Sequence, residues 1–268
     1  MSKITQAGRV VVKVGTSTLT YENGKLNLRR VEALCKVLSD LQASGREIIL
    51  VSSGAIGVGM GKLGLRERPA ETEKKQALAA VGQCELMFIY DKLFGEYNQT
   101  VAQVLLTGDV VHNPHTRENV GNTFRELIGM GIVPVVNEND TVGVDELVGK
   151  NIGDNDTLSA TVATLVEADL LVILTDIDGL YDKNPQKEPD AKRIPYVEGI
   201  TEEILQLAGG AGSNRGTGGM YTKVRAASIA NAAGITCCVL SGVTPENLYK
   251  LFDGVQIGTI FSPEGGIS

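Results

Sequence analysis

The chain has 268 residues, 43% of them hydrophobic and 21% charged, a composition that excludes disordered, collagen-like and coiled-coil proteins. Its net charge of -7 argues against nucleic acid or an anionic membrane as the main partner, because basic surfaces bind phosphate backbones. Four cysteines without a C-x-x-C pair and two histidines do not predict a zinc site, and they fit a reducing, cytoplasmic location. No segment has the length and apolar character of a membrane span or a signal peptide.

Short apolar runs alternate with segments of helical period along the chain. The first run covers 10–14, and an amphipathic helix over 28–43 follows it. The next runs cover 47–51, 101–106, 132–136, 170–174 and 237–240, and further helices are predicted over 74–94 and 221–233. This alternation predicts a mostly parallel sheet with helices on both faces. The stretch 182–195 has three prolines among charges and predicts an excursion from the sheet.

Small, polar or acidic residues follow four of the predicted strands. Any one of these turns has an ordinary explanation, because Gly, Ser, Asn and Asp are common between strands and helices. Ligands of open parallel sheets, however, bind beyond the carboxyl ends of the strands, so four such turns in register predict a binding site there. The four turns cover residues 15–18, 52–57, 137–140 and 175–181.

Lys13 interrupts an otherwise apolar strand and precedes the turn at Gly15. A buried ammonium needs anionic partners, and backbone N–H groups around a glycine turn bind phosphate. The alternative is a lysine near a strand end that extends to solvent. The residues alone leave these two interpretations open.

A glycine-rich stretch over 209–219 precedes a strongly helical segment. Glycines let the backbone approach a polyphosphate, the helix N-terminus adds donors, and Lys223 can supply a full positive charge. The stretch is neither a Walker A loop nor a strand-borne GxGxxG fingerprint. We favour phosphate binding over a plain surface loop because a helix with a lysine in its first turn follows directly.

Two carboxylates and an amide, at Asp154, Asn155 and Asp156, open another predicted helix. One of these residues would serve as an ordinary N-cap. Together with the acidic turn at 137–140 they offer more acceptors than one cap uses. Such a cluster could hold an ammonium substrate, orient lysines or contact Mg²⁺ through water.

Six ordered motifs resemble those of the amino acid kinase family, and most closely its members that phosphorylate L-glutamate. The resemblance extends from Val10 to Phe261. It implies a three-layer α/β/α sandwich with a mostly parallel central sheet, formed by a single domain over 1–268. The motifs are VVKVGTS at 11–17, VSSGAI at 51–56, NEND at 137–140, GDND at 153–156, LTDIDGLY at 174–181 and GTGGMYTK at 216–223.

The resemblance also implies roles for individual residues. Lys13, Lys223 and Asp156 would be catalytic, and Asp156 would help to organise the two lysines and the metal. The glutamate-binding residues would be Ser53, Gly54, Ala55, Asp140 and Asn155, mainly within 1–165. The ATP-binding residues would be Lys13, Gly15, Thr175, Asp176, Thr217, Gly218, Gly219, Met220 and Lys223, with ATP held mainly by 166–262. Mg²⁺ would accompany ATP, and no residue can be assigned as its direct ligand.

The implied activity is ATP-dependent phosphorylation of the side-chain carboxylate of L-glutamate to L-glutamyl 5-phosphate, the first step of proline biosynthesis. A carboxylate nucleophile is already ionised at neutral pH, so no general base is needed. The resemblance further implies proline as a feedback inhibitor, a homo-oligomer, and an association with the reductase of the next step.

Several alternatives stay open on the sequence alone. Acetylglutamate kinase, aspartokinase and uridylate kinase share the implied fold, and a non-catalytic amino-acid-binding sensor could share it too. The intact Lys13, Lys223 and Asp156 argue against a sensor, which has no need of phosphate-directed lysines. An RNA-binding protein is disfavoured by the net charge. Many of the similar proteins continue into a C-terminal PUA domain, which this sequence does not include.

Overall fold

The computed structural model describes residues 2–143, 154–209 and 219–265, and within these residues it has eight strands and eleven helices. The strands are β1 (Arg9–Val14), β2 (Glu47–Ser52), β3 (Val101–Leu106), β4 (Val133–Glu138), β5 (Leu170–Thr175), β6 (Tyr196–Glu198), β7 (Thr236–Ser241) and β8 (Thr259–Ser262). The helices are α1 (Ser2–Thr5), α2 (Thr16–Leu19), α3 (Leu28–Ala43), α4 (Ala55–Leu63), α5 (Thr72–Gly95), α6 (Asp109–His112), α7 (Pro114–Gly129), α8 (Asn155–Leu165), α9 (Glu202–Gly209), α10 (Met220–Ala232) and α11 (Asn247–Phe252).

The strands form one mixed sheet in the order β3-β4-β2-β1-β5-β7-β8-β6. β1 lies at its centre and pairs in parallel with β2 on one side and β5 on the other. Strands β3, β4 and β7 continue the parallel arrangement, and β8 then pairs with β7 in the antiparallel direction. The carboxyl ends of β1 to β5 and β7 therefore meet at one edge of the sheet, together with the amino end of β8.

Two hydrophobic cores lie on the two faces of the sheet, and β1 contributes to both. Val10, Val12 and Val14 belong to the core under α3, α5 and α11, whereas Val11 belongs to the core under α7, α8 and α10. Successive side chains of a strand point to opposite faces, so Lys13 lies on the α8 and α10 face. The predicted covering of a mostly parallel sheet on both faces is thus confirmed.

The local sequence explains where the helices begin. Asn27 caps α3, because its side-chain oxygen accepts a hydrogen bond from the Arg30 N–H at 3.2 Å. α3 covers the predicted range 28–43, and the segment 182–195 leaves the sheet as expected. Strands β6 and β8 were not predicted, since three and four residues give too short a pattern.

Helices α4 and α5 cross at very short range. A Cβ added at Gly82 of α5 would overlap the carbonyl oxygen of Ala55, and one added at Gly59 of α4 would overlap that of Leu78. Only glycines permit this approach, which holds the first turn of α4 against the middle of α5. The turn between β2 and α4 is thereby fixed in place. No helix in the described residues combines the length and the apolar character that a membrane crossing requires.

Candidate active site

The carboxyl edge of the sheet brings together six separate segments of the chain. These are the turns after β1, β2, β4 and β5 and the first turns of α8 and α10. β1 lies between β2 and β5 at the centre, where open α/β sheets bind their ligands. The segments from which the sequence predicts a site therefore lie together at one edge of the sheet.

Lys13 lies near the carboxyl end of β1 and is only 6% exposed. Its ammonium lies 2.7 Å from Oδ1 of Asp156, the second residue of α8. The side chain therefore does not extend to solvent, and that alternative interpretation is wrong. The carboxylate is the anionic partner that a buried ammonium requires.

Asp156 receives three donors on a side chain that is 3% exposed. Besides Lys13, the Lys223 ammonium lies 3.1 Å from Oδ2, and the Thr222 hydroxyl donates to the same oxygen at 2.7 Å. Burial disfavours the charged carboxylate, but the two lysines and Thr222 outweigh burial and hold the pKa of Asp156 below its ordinary value of 3.8. The three charged groups together carry one net positive charge.

Lys223 lies in the first turns of α10, which begins at Met220 after the cap residue Gly219. A cation at this end of a helix meets the positive pole of the helix dipole, an arrangement that opposes stability. Asp156 compensates this charge from the neighbouring helix α8. A lysine held against the dipole in this way is suited to an anionic ligand at the helix N-terminus.

Asp154 is the N-cap of α8. Its Oδ1 accepts a hydrogen bond from the Thr157 N–H at 2.6 Å, and its Oδ2 accepts one from the Thr157 hydroxyl at 3.2 Å. Burial raises the pKa of Asp154, and the neighbouring charge of Asp156 raises it further. The capping role anticipated for one of the acidic residues thus falls to Asp154, which leaves Asp156 to pair with the lysines.

The turns after β1 and β2 lie against one another. A Cβ on Gly15 would be 3.5 Å from the Lys13 ammonium, so the backbone of this turn passes close to that charge. Gly54 has a φ of +102°, and its Cβ position faces Thr16 at 3.4 Å. Ser53 and Ala55 flank it and are buried, with the Ser53 N–H bonded to the Val14 carbonyl at 3.1 Å.

The end of β4 and the start of α8 supply the remaining polar side chains predicted for a substrate. Asp140 is half-buried in the turn after β4. Asn155 opens α8, and its Oδ1 is buried without a hydrogen-bond partner among the described residues. A buried acceptor of this kind needs a donor, which a ligand ammonium could supply. Beneath them, Asn137 donates to the Gln83 side-chain oxygen at 2.9 Å.

The end of β5 forms the far side of this edge. Thr175 is buried, its carbonyl accepts the Gly242 N–H at 2.7 Å, and its hydroxyl donates to Asp176 at 3.0 Å. Asp176 itself is exposed at the edge of the sheet. Asp176 is therefore accessible to a ligand that lies across the carboxyl ends of β5 and β1, and the buried Thr175 donates a hydrogen bond to it.

Most of the predicted site residues lie at this edge. Contacts join Lys13, Asp156 and Lys223 directly and bring Gly15 beside Lys13. Thr217 and Gly218 fall outside the described residues. Thr222 was missed, although it lies within the glycine-rich motif. A hydroxyl residue next to a phosphate-directed lysine is the signal that could have identified it.

Comparison with known proteins bears on this site. The sequence model of the amino acid kinase family matches residues 8–241. The UMP kinase of Bacillus anthracis has a similar structure, with a TM-score of 0.64, 14% identity and 96% of each chain covered. At that identity the likeness shows the fold alone.

Proteins with similar sequences identify the family more closely than the similar structure does. The chain is 56% identical to glutamate 5-kinase of Clostridium perfringens, with 96% of each chain covered. It is 55% identical to glutamate 5-kinase of Listeria monocytogenes, over 95% of this chain and 92% of the relative. It is 52% identical to that of a Thermoanaerobacter species, over 95% of this chain but 68% of the longer relative. The chain belongs to the amino acid kinase family and, within it, to the group of the glutamate 5-kinases.

Proposed function

We propose that this chain transfers the γ-phosphoryl group of ATP to the side-chain carboxylate of L-glutamate, which gives L-glutamyl 5-phosphate and ADP. The observation that carries the proposal is the buried network in which Lys13 and Lys223 share the carboxylate of Asp156. This network has one net positive charge at the carboxyl edge of the sheet, where two anionic substrates must meet. The high identity to glutamate 5-kinases supports glutamate over acetylglutamate and aspartate as the acceptor.

The chemistry needs alignment and charge neutralisation more than proton transfer. The attacking carboxylate is ionised at neutral pH, so it requires no general base. In the transition state, charge spreads over the transferring phosphoryl oxygens, and fixed cations stabilise it. Lys13 and Lys223 would act there, while Asp156 and Thr222 hold the two ammonium groups in position.

Glutamate would bind between the turns after β2 and β4 and the start of α8. Asp140 would pair with its α-ammonium. The Oδ1 of Asn155, which has no hydrogen-bond partner among the described residues, would accept a further hydrogen bond. Ser53, Gly54 and Ala55 would face the carboxylate groups of the substrate, where backbone N–H groups are available at the start of α4. This subsite lies mainly within 1–165.

ATP would lie across the ends of β1 and β5 and the start of α10, mainly within 166–262. Gly15, Lys13 and Lys223 would contact its phosphates, together with Thr217, Gly218, Gly219 and Met220. Thr175 and Asp176 would hold the remainder of the nucleotide. The first turn of α10 supplies backbone donors for the phosphates.

Mg²⁺ would enter bound to the phosphates of ATP, whose negative charge it neutralises when present. Both oxygens of Asp156 already have ammonium partners, and the described residues contain no group of three or more metal-ligating side chains. The residues present thus fit a metal held by phosphate oxygens and water, with Asp156 in contact with the lysines.

We assign the activity to the first step of proline biosynthesis and to the cytoplasm, which the four free cysteines fit. Proline would be the feedback inhibitor, and the reductase that uses glutamyl 5-phosphate would be a partner. A homo-oligomer is part of the same proposal, and sedimentation of the purified chain measures it.

The decisive experiment is ATP turnover with a panel of amino acids in the presence of hydroxylamine, which traps acyl phosphates as hydroxamates. We expect ADP and hydroxamate to form together with L-glutamate. Turnover of acetylglutamate or aspartate in place of glutamate would refute the proposed substrate. Binding of glutamate without any ADP formation would instead support the sensor.

A further inference from the structure

The segment that follows β5 is held by residues from distant parts of the chain. Residues 176–181 cross the carboxyl edge and lead into the excursion 182–195, which returns beside them through an antiparallel bridge between Tyr181 and Arg193. In the function proposed above, Asp176 in this segment contacts ATP. What fixes the segment would therefore influence how the nucleotide is held.

Thr259 joins the two sides of this excursion through one hydroxyl group. Its side chain is fully buried. The hydroxyl accepts the Leu180 N–H at 2.8 Å and donates to the Ile194 carbonyl at 2.6 Å, while the Ile194 N–H bonds to the Leu180 carbonyl at 2.7 Å. Thr259 is the first residue of β8, and the antiparallel direction of β8 brings it to the site edge.

Gly179 brings the segment into direct contact with this hydroxyl. Its φ is +149°, a conformation that side chains other than glycine rarely adopt. A Cβ at this position would lie only 2.6 Å from the Thr259 Oγ1 and 3.0 Å from the Arg193 side chain. The segment and Thr259 are therefore packed without space for another atom.

Asp178 closes the segment on its other side. Its Oδ1 accepts the Tyr181 hydroxyl at 2.8 Å, and its Oδ2 accepts an Arg193 N–H at 2.9 Å. These groups are partly exposed, so the ion pair alone contributes little to folding. It does restrict the direction in which the segment leaves β5.

We propose that Thr259 is a positioning residue for the nucleotide, and that Asp178 assists it. The Thr259 hydroxyl fixes the backbone of 179–181, and this fixes the placement of Asp176 at the end of β5. Thr259 is buried and acts through the segment, without contact with ATP. The inference rests on the proposed function for the identity of the ligand.

The test compares Thr259→Val with Thr259→Ser. Valine has nearly the shape of threonine but leaves the Leu180 N–H and the Ile194 carbonyl without their partner, whereas serine restores the hydroxyl. We expect Thr259→Val to raise the KM for ATP and the Kd for ADP by about tenfold, as two lost hydrogen bonds can do, with the KM for glutamate within about twofold. Thr259→Ser should resemble the unaltered chain. Equal changes in both KM values, or unchanged ADP affinity in a folded Thr259→Val protein, would overturn the proposal.

Asp178→Ala gives an independent test if Thr259→Val does not fold. We expect a rise of about threefold in the Kd for ADP, measured by titration calorimetry. The control is Asp190→Ala, which removes a partner of Lys183 at 2.8 Å in the same excursion but away from 176–181. Unchanged ADP affinity in Asp178→Ala, or the same change in both variants, would contradict the inference. An unaltered chain that neither binds ADP nor uses glutamate would instead refute the proposed function.

Discussion

Lys13 and Lys223, one on the central strand and one on a helix near the end of the chain, lie on opposite oxygens of the same buried carboxylate. Asp156 is within 2.7 Å of the first ammonium and 3.1 Å of the second. The two cations are thus held side by side before any ligand arrives. Ligand binding therefore does not have to supply the free energy needed to order the two lysine side chains.

Removal of either lysine should slow the chemical step. We expect Lys13→Ala and Lys223→Ala each to lower kcat by about 100-fold or more, because each removes one group that stabilises charge in the transition state. Asp156→Asn should act similarly, since it releases both lysines. The control is Lys62→Ala, whose ammonium pairs with Glu85 on the surface away from this edge. Near-normal steady-state turnover in all three site variants would contradict a role for these residues in phosphoryl transfer.

Asp140 should determine glutamate affinity. We expect Asp140→Ala to raise the KM for glutamate by about tenfold or more and to leave the KM for ATP nearly unchanged, because a hydrogen bond to a charged group is lost. Steady-state kinetics with each substrate varied in turn measures both. Asp91→Ala, at an exposed position of α5, is the matched control. Similar increases for both substrates would place Asp140 outside the glutamate subsite.

Proline should compete with glutamate for an overlapping site. Both amino acids present an α-carboxylate and a cationic nitrogen, so Ser53, Asp140 and Asn155 could serve either of them. Linkage then requires glutamate to weaken proline binding by the factor by which proline weakens glutamate binding. Titration calorimetry of proline with and without saturating glutamate measures that factor. Unchanged proline affinity would place the inhibitor elsewhere, and no binding at all would refute inhibition of this chain by proline.

The free energy of unfolding should decrease in acid, because Asp156 becomes protonated there. The pKa of this carboxyl is lower in the folded chain than its ordinary value of 3.8, so the unfolded chain binds the proton more readily. The contribution of Asp156 is therefore complete above about pH 4 and is lost as the pH falls through the folded-state pKa. We expect Asp156→Asn to lower the free energy of unfolding by about 3–5 kcal/mol at pH 7. The difference in unfolding free energy between the variant and the unaltered chain should become smaller in acid. Urea unfolding at a series of pH values would contradict this if the difference stayed constant.

An added methyl group at the crossing of α4 and α5 should destabilise the fold. Gly82→Ala places a Cβ against the Ala55 carbonyl, and we expect it to destabilise the fold by about 1–3 kcal/mol and to raise the KM for glutamate, because the turn after β2 must move. Gly95→Ala is the control on the same helix. A Cβ there meets nothing within 4 Å, so it should stabilise by about 0.5–1 kcal/mol. Equal thermal unfolding of the two variants would show that the helices can separate at no cost.

The parallel core of the fold was predictable because its strands are continuous apolar runs separated by helical patterns. α3 could be placed from its spacing of Val31, Leu34 and Leu38, and the structure gives it the predicted bounds. β8 could not be placed from the sequence, because four residues are too few to show a period and because its antiparallel direction depends on pairing with β7. Whether such a short strand forms, and in which direction it pairs, depends on hydrogen bonds between segments that are distant in sequence.

The sequence predicted which segments meet at the candidate site, but only some of the contacts between them. Sequence reasoning placed Lys13 on a buried strand, and the structure adds that an odd position of β1 points toward α8 and α10. It left open which acidic residue caps α8, since Asp154 and Asp156 both suit that position. Burial and the approach of two lysines distinguish them, and both depend on packing between helices far apart in sequence.

The antiparallel direction of β8 has a consequence for the order in which the described segments pack during synthesis. β8 is synthesised after the other seven described strands, yet its first residue, Thr259, completes the hydrogen bonds of the segment after β5. The parallel strands β1 to β5 and the helices that cover them can pack earlier, since all of them precede β8 in the chain. In a nascent chain, the segments proposed to hold glutamate would thus pack before the proposed nucleotide-binding segment 176–181 gained its hydrogen bond to Thr259. In the proposed function, catalytic competence would require the synthesis of β8.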